Sequence, residues 1–296
     1  MKISIATPHW WMYNEIERFD EFKKAGFDAV DFCMTHLDTF LDENAYLEKI
    51  TYRTDYLRQL GLETGQAHGP YLPLFDDEEK IQNMAKTQAI AIKTANKVKI
   101  PYIVFHPCIF PWCKYDVRRE EALEKNFEWF SSYIPILQDM EITPLIENCY
   151  LDDFATDTTL PTCCSNAADL KKLVSELNTR AGREMFGVNF DTGHSNDAGE
   201  VPYKMAEELG SLIKALHVHD NDSRNDYHMT PYAKSGNIDW DKMMQALAKI
   251  GYKGTLNFEH DTPLERGVKE LAPLSLELIA AVGRELSNIF ERYKNV

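Results

Sequence analysis

The sequence predicts a single α/β domain of the (β/α)8, or TIM barrel, class. Short apolar runs alternate with longer amphipathic runs along all 296 residues, which is the pattern of a parallel sheet whose strands are joined by helices. A histidine or acidic residue lies at or near the end of six of the apolar runs, and successive ones are 28 to 44 residues apart. One strand, one helix and two loops occupy about 30 or more residues. The spacing therefore indicates neighbouring strands that deliver polar side chains to one rim.

Eight short runs have the apolar composition of strands buried in a parallel sheet. They are Lys2–Thr7, Ala29–Met34, Glu63–His68, Tyr102–Pro107, Thr143–Asn148, Phe186–Asp191, Ile213–Asp220 and Thr255–His260. A doubly wound open sheet is the alternative. It would concentrate functional residues at one switch point, whereas here they follow many strands.

Helical segments lie between most of these runs. Glu15–Ala25 carries Ile16, Phe19 and Phe22 on one face and is followed by Gly26, a residue that commonly ends helices. The other predicted helices are Glu78–Lys97, Leu123–Leu137, Asn166–Asn178, Val201–Leu209, Asp239–Ile250 and Val268–Arg292. Tyr150–Ser165 and Asp222–Asn237 show neither pattern. We expect these two segments to be long loops that form the wall or lid of a substrate site.

One domain covering residues 1–296 is the simplest organisation, because the chain shows no linker and no internal repeat and such barrels often take about 250 residues. No apolar stretch reaches the roughly 20 residues of a membrane helix, and the N-terminus is predicted to be a first strand rather than a signal peptide. The six cysteines form no CxxC pair, so we expect reduced thiols and a cytoplasmic location. Cys149 is interpreted as a buried structural thiol, with a place in the pocket as the alternative.

The formal net charge of −15 disfavours a nucleic-acid partner, since affinity for phosphate backbones rests mainly on Lys and Arg. The sequence also lacks GxSxG, GxxxxGK[ST], GxGxxG and HExxH. Their absence argues against the usual serine-hydrolase, P-loop, dinucleotide-binding and zinc-peptidase classes.

Four residues are the strongest candidates for metal ligands, because each lies at or near the C-terminal end of a predicted strand, where barrel enzymes keep their active sites. They are Glu147, Asp191, His219 and Glu259. Oxygen and imidazole ligands suit Mn²⁺ or Zn²⁺, with Co²⁺ and Mg²⁺ as alternatives. For any one of the four, a structural role such as an ion pair is the competing interpretation.

A second set of polar residues follows the same strands. It consists of His68, His106, His194, Asp226 and His228. These side chains could hold a second or third metal ion or bind substrate hydroxyls. His217 should face the same side of its strand as His219, since side chains alternate along a strand, and we interpret it as a core histidine beneath the metal. His9, His36 and His260 are less constrained, and His9 beside Trp10 and Trp11 could stack on a sugar.

Four motifs resemble those of the xylose-isomerase-like barrel superfamily. They are IEN around Glu147, DTGH at Asp191–His194, HVHDND at His217–Asp222 and GNIDW at Gly236–Trp240. That superfamily includes sugar isomerases and epimerases, inosose dehydratase, hydroxypyruvate isomerase and endonuclease IV. The resemblance covers nearly the whole chain.

Two branches of this superfamily imply different sites. In the ketose 3-epimerase branch, one Mn²⁺ or Co²⁺ is held at positions that match Glu147, Asp191, His219 and Glu259. A substrate histidine there matches His194, and a substrate arginine has an approximate counterpart in Arg224. In the endonuclease IV branch, nine residues hold three zinc ions, and all nine types have counterparts in the two sets above. The DTGH, CYLDDF and PYAKSG stretches depart from the superfamily's usual patterns, the first two of them from endonuclease IV.

The resemblance implies a sugar isomerase or epimerase that uses one to three divalent ions and transfers protons through a metal-stabilised enediolate. Glu147 and Glu259 are the expected catalytic bases. The alternatives are a metal-dependent lyase or dehydratase acting on a keto-sugar or inosose, and an endonuclease IV-like phosphodiesterase. We expect a sugar or polyol substrate, with an unphosphorylated one favoured because no Lys/Arg cluster lies near the motifs. No membrane or nucleic-acid partner is expected, and a homo-oligomer remains open.

Overall fold

The computed structural model describes residues 1–8, 15–35, 42–71, 77–110, 115–153, 155–259 and 269–294. The strands in these ranges are β1 (Ile3–Ala6), β2 (Ala29–Cys33), β3 (Glu63–His68), β4 (Tyr102–Phe105), β5 (Thr143–Glu147), β6 (Tyr150–Asp153), β7 (Thr158–Pro161), β8 (Gly187–Asp191), β9 (Ile213–His217) and β10 (Leu256–Phe258). Eight of them form one parallel sheet in the order β10-β1-β2-β3-β4-β5-β8-β9. Each predicted strand is present, with ends that differ from the prediction by three residues at most.

The sheet is nearly closed into a barrel. Its two edge strands, β9 and β10, meet just beyond the end of β9, where Val218 N donates a hydrogen bond to Asn257 O at 2.7 Å. Val218 also forms an isolated parallel bridge with Phe258. The predicted (β/α)8 class is therefore confirmed.

Helices follow the strands around the outside. They are α1 (Phe19–Ala25), α2 (Glu43–Gln59), α3 (Glu78–Lys97), α4 (Tyr115–Ser131), α5 (Ile134–Leu137), α6 (Ala167–Ala181), α7 (Thr192–Asp197), α8 (Pro202–Leu209), α9 (Trp240–Lys249) and α10 (Ala272–Lys294). Short 3-10 turns lie at Ile16–Arg18, Gly210–Leu212 and Lys269–Leu271. Among the described helices, none combines the length and the apolar character required to cross a membrane.

The sequence analysis missed one long helix. α2 lies between β2 and β3, and its buried face includes Arg53 and Thr54 beside Tyr46, Ile50 and Leu57. That mixture of polar and apolar side chains hides the helical period, because the apolar stripe is interrupted. The Asp42 side chain caps the helix by accepting hydrogen bonds from the backbone N–H groups of its first turn.

The segment Tyr150–Ser165, predicted to be a loop, instead contains the antiparallel hairpin β6–β7. The hairpin is hydrogen-bonded to the segment after β9, where Arg224 O accepts a bond from Thr159 N at 2.9 Å. Aromatic and β-branched residues favour strands, but this short pair shows no clear apolar alternation, so the sequence pattern did not reveal it. The segment Asp222–Asn237 has no helix or named strand, as predicted.

The barrel interior contains a buried polar layer beneath the C-terminal ends of the strands. Asp31, Gln66, His217 and Asn257, from β2, β3, β9 and β10, are each at most 1% exposed. Buried polar groups cost free energy unless they are hydrogen-bonded. Gln66, His217 and Asn257 each contact the Asp31 carboxylate, and this layer lies directly beneath the polar site.

Candidate metal and active site

A cavity of about 400 Å³ opens at the C-terminal ends of the strands, the rim at which this class of barrel carries its chemistry. Its walls are unusually rich in histidine and carboxylate side chains. Those that line it include His68, His106, His194, Asp226, His228 and Glu259. The structure therefore brings these residues together at one rim, as the sequence analysis predicted.

The deepest part of the site is a group of four residues, which we call the inner group. It consists of Glu147, Asp191, His217 and Glu259, and one ligand atom from each lies within 4.8 Å of the others. His217 Nδ1 is 2.6 Å from Glu147 Oε1 and 2.9 Å from Glu259 Oε2. A single ion could therefore contact all four side chains, because metal ligands need to surround a common point.

His217 takes the place in the inner group that the sequence analysis gave to His219. β9 ends at His217, so this ring points into the barrel at the level of the ends of β5 and β10. His219 follows the strand, and its Nε2 lies 3.0 Å from Asp191 Oδ1. Both rings thus approach Asp191, but only His217 also lies within 3 Å of Glu147 and Glu259. The ligand set that includes His219 remains a prediction, and the geometry favours His217.

A second, shallower group, which we call the outer group, consists of His194, His219, Asp226 and His228. Asp226 lies at its centre, with Oδ2 at 2.9 Å from His228 Nε2 and 3.7 Å from His194 Nε2. Tyr150 Oη of the hairpin also donates to this oxygen at 2.9 Å. The outer group is thus built from the long segment after β9 and from α7 rather than from residues within the strands.

A third cluster joins His68 and His106 to Glu147. The Nε2 atoms of the two histidines are 3.0 Å apart, and His106 Nε2 is 3.1 Å from Glu147 Oε2. Tyr71 stacks on His106 with a centroid distance of 4.3 Å and also lines the cavity. This side of the cavity offers an aromatic face as well as nitrogen ligands.

The donor set fits a divalent ion. Glu147 Oε2 and Asp226 Oδ1 are buried, and neither accepts a hydrogen bond from the residues that the structure describes. Histidine nitrogens lie only 3.1 Å and 3.6 Å from these two oxygens. Buried carboxylate oxygens without a hydrogen bond are costly, and a cation held between them and the neighbouring histidines would satisfy them. Imidazole nitrogens and carboxylate oxygens suit Mn²⁺ and Zn²⁺ in particular.

A proton and a metal ion would bind to the same nitrogen and oxygen atoms of the inner group. Burial opposes protonation of His217, but the carboxylates of Glu147 and Glu259 outweigh it and raise the pKa of this histidine well above its ordinary value. Burial raises the pKa of Glu147, but the neighbouring His217 and His106 outweigh this effect and lower the pKa well below its usual range. In the metal-free protein, His217 and the two glutamates therefore stabilise each other's charged forms.

Other residues from the sequence analysis have varied positions. Arg224 is exposed and is not among the residues that line the cavity; its backbone carbonyl binds the hairpin. Cys149 is buried and also lines the cavity, so both interpretations of this thiol hold. His9, His36 and His260, with Trp10 and Trp11, lie outside the described residues.

Asp31 is a site residue that the sequence analysis missed. It lies in the middle of β2 and contacts His217 from the side opposite the inner group. The signal in the sequence was a lone acidic residue within the apolar run AVDFC. Such a residue is rarely buried without a specific partner.

A sequence model described as the xylose isomerase-like TIM barrel matches residues 19–278. The chain belongs to the xylose isomerase-like TIM barrel family. Its membership agrees with the motifs at Glu147, Asp191–His194 and His217–Asp222, which lie within the matched range.

Two curated relatives match parts of the chain. A protein of Sinorhizobium fredii is 35% identical over 104 residues, which cover 35% of this chain and 32% of the relative. Mannonate dehydratase of Enterococcus faecalis is 28% identical over 148 residues, which cover 48% of this chain and 39% of that enzyme. Each match spans less than half of the relative's own length.

Two solved structures share the fold over nearly their whole length. A D-tagatose 3-epimerase-like protein has a TM-score of 0.74 at 20% identity and covers 99% of both chains. The IolI protein, solved with a bound zinc atom, has a TM-score of 0.70 at 15% identity and also covers 99% of both chains. At these identities the likeness concerns the fold alone.

Proposed function

We propose that this protein is a divalent-metal-dependent sugar isomerase or epimerase. The observation that carries the proposal is the placement of two carboxylates, Glu147 and Glu259, which lie 2.6 Å and 2.9 Å from the same His217 Nδ1 atom in the deepest part of the site. Family membership supports it, and so does the fold shared with an epimerase-like protein and with a zinc-containing one.

The inner group would hold the ion through Glu147, Asp191, His217 and Glu259. Mn²⁺ or Zn²⁺ fits this set best, with Co²⁺ and Mg²⁺ as alternatives. When bound, such an ion acts as a Lewis acid that polarises a substrate carbonyl. The outer group and the His68–His106 pair have the chemistry to bind one further ion each, so the protein would hold one to three ions.

Proton transfer is assigned to the two glutamates. One of Glu147 and Glu259 removes the proton on the carbon next to the carbonyl. The other returns a proton to the opposite face, which gives epimerisation, or to the neighbouring carbon, which gives isomerisation. His194, which lines the cavity, would donate or accept hydrogen bonds with substrate hydroxyls.

Tyr71 and His106 form a stacked aromatic wall that suits the apolar face of a sugar ring or chain. No Lys or Arg side chain is among the described residues that line the cavity. An unphosphorylated sugar or polyol is therefore the proposed substrate class.

A panel of ketoses and inososes incubated in D₂O and followed by NMR tests the proposal. Deuterium at the carbon next to the carbonyl, without loss of water from the substrate, is the expected result. Turnover should disappear on chelation and return on addition of Mn²⁺ or Zn²⁺. The proposal fails if no member of the panel exchanges deuterium with the metal-loaded protein.

Two alternative functions are each favoured by one observation. Partial similarity to mannonate dehydratase favours a lyase, which the same NMR experiment would reveal as loss of water. The three ligand clusters together favour an endonuclease IV-like phosphodiesterase. Nicking of abasic DNA by protein that contains three zinc ions would replace our proposal with that one.

A further inference from the structure

Asp31 makes an unusual set of contacts in the polar layer of the barrel. One of its oxygens, Oδ2, accepts hydrogen bonds from Gln66 Nε2 at 2.8 Å and from Asn257 Nδ2 at 3.2 Å. The same oxygen lies 2.9 Å from His217 Nε2. Oδ1 is buried and has no hydrogen bond from the described residues. All the donors thus converge on the oxygen that faces His217.

His217 lies between this carboxylate and the inner group. Its Nε2 faces Asp31, while its Nδ1 faces Glu147 and Glu259. A histidine whose one nitrogen donates a hydrogen bond presents the other as the free ligand atom. The side chain that accepts the bond therefore decides which nitrogen meets the ion.

We propose that Asp31 is a positioning residue for the metal-binding histidine. It holds the Nε2–H of His217, keeps Nδ1 directed at the ion position and makes that nitrogen a stronger ligand. The inference rests on the proposed metal site. Gln66 and Asn257 belong to the same arrangement, because their amide groups hold the Asp31 carboxylate in its orientation.

A purely structural role for Asp31 explains these contacts less well. An ionised carboxylate buried in a barrel is expensive unless a charge or several donors compensate it. An asparagine in the same place could accept the bonds of Gln66 and Asn257 without that cost. The negative charge is useful where the partner is a histidine that carries or shares positive charge, as a metal ligand does.

Metal affinity of Asp31→Asn tests the inference. Titration of the metal-free protein with Mn²⁺ should show binding weakened by roughly 10- to 100-fold, the usual effect of losing a carboxylate behind a histidine ligand. Gln66→Met is the intermediate variant for comparison, because it removes one donor to the same oxygen and leaves His217 bonded to Asp31. Its loss should be about threefold or less, within the lower part of the range for one hydrogen bond. Circular dichroism establishes that both variants are folded.

A second measurement needs no variant at position 31. In the zinc-loaded wild-type protein with ¹⁵N-labelled histidine, His217 should show a protonated Nε2 and a metal-bound Nδ1, with the signals assigned from His217→Gln. A protonated Nδ1 overturns the inference even if Asp31→Asn does not fold.

The outcomes separate this inference from the proposed function. If the wild-type protein binds no divalent ion, the proposed function fails and the role of Asp31 fails with it. If the wild-type protein binds an ion and Asp31→Asn binds it equally well, only the role of Asp31 is wrong.

Discussion

The inner and outer groups of the site have similar residue types, but different parts of the fold hold them in place. Glu147, Asp191 and His217 end strands of the barrel and are fully buried. Asp226 and His228 lie in a long segment after β9, where His228 has a φ of 46°. Strand ends are more precise platforms than loops. We therefore expect the proposed chemistry, which requires fixed geometry, to depend on the inner group more than on the outer group.

The largest expected effect falls on the inner group. Glu147→Gln and Glu259→Gln should each lower turnover by at least about 10²-fold, since each removes a general acid or base that typically contributes 10²–10⁴-fold. The steady-state rate with the substrate identified by deuterium exchange measures this. Glu128→Gln, at an exposed position on α4, is the control and should be unchanged. Activity within tenfold of wild type in either site variant would contradict the two-carboxylate mechanism.

A comparison of His217→Gln with His219→Gln tests the difference in depth directly. His217→Gln should weaken the tightest-bound ion by on the order of 100-fold or more, because a lost ligand costs at least as much as a lost supporting contact. His219→Gln should affect that ion much less and should instead reduce the number of ions bound. Inductively coupled plasma analysis and metal titration measure both quantities. If His219→Gln has the larger effect on the tightest ion, the ligand set that includes His219 is supported and the set that includes His217 is wrong.

The sequence predicted the barrel and the gathering of polar residues at its rim better than it predicted how those residues group. Spacing between strand ends was sufficient for the fold, because each βα unit has a nearly constant length. The choice between His217 and His219 depended on where β9 ends, and periodicity alone leaves strand ends uncertain. Asp31 contacts His217 across the barrel, 186 positions away in the chain, and no local pattern carries that information.

Gly193 provides a smaller test confined to the outer group. A Cβ at this position would lie 1.8 Å from His219 Cε1. The His219 ring therefore fits here only because residue 193 has no side chain. Gly193→Ala should displace His219, lower stability by about 1–3 kcal/mol through overpacking and reduce binding of ions beyond the tightest one. Urea unfolding and metal titration measure these effects. Gly65→Ala is the matched control, because the nearest atoms to its Cβ would be at 3.8 Å. If Gly193→Ala binds as many ions as the wild-type protein, His219 is not needed to bind an ion in the outer group.

The smallest expected effect concerns the pH dependence of stability. Asp197, on α7 beside the outer group, is 4% exposed, and its Oδ2 accepts a hydrogen bond from Asn221 Nδ2 at 2.7 Å. Burial, followed by repulsion from Asp226, raises the pKa of Asp197 to about 8. The folded state therefore retains a proton that the unfolded state loses near its ordinary pKa of 3.8.

Because the folded-state pKa is the higher one, the free energy of unfolding of the metal-free wild-type protein should fall as pH rises from about 4 to about 8. Asp197→Asn should lack this component and melt roughly 2–4 °C above wild type at pH 8, the shift expected for about 1 kcal/mol. The two proteins should differ least near pH 4. Saturating Zn²⁺ should narrow the gap at pH 8, since a cation in the outer group would offset the repulsion from Asp226. A gap that is equally large at pH 4 and pH 8 would mean that the substitution acts through packing rather than through burial of the Asp197 charge and its repulsion from Asp226.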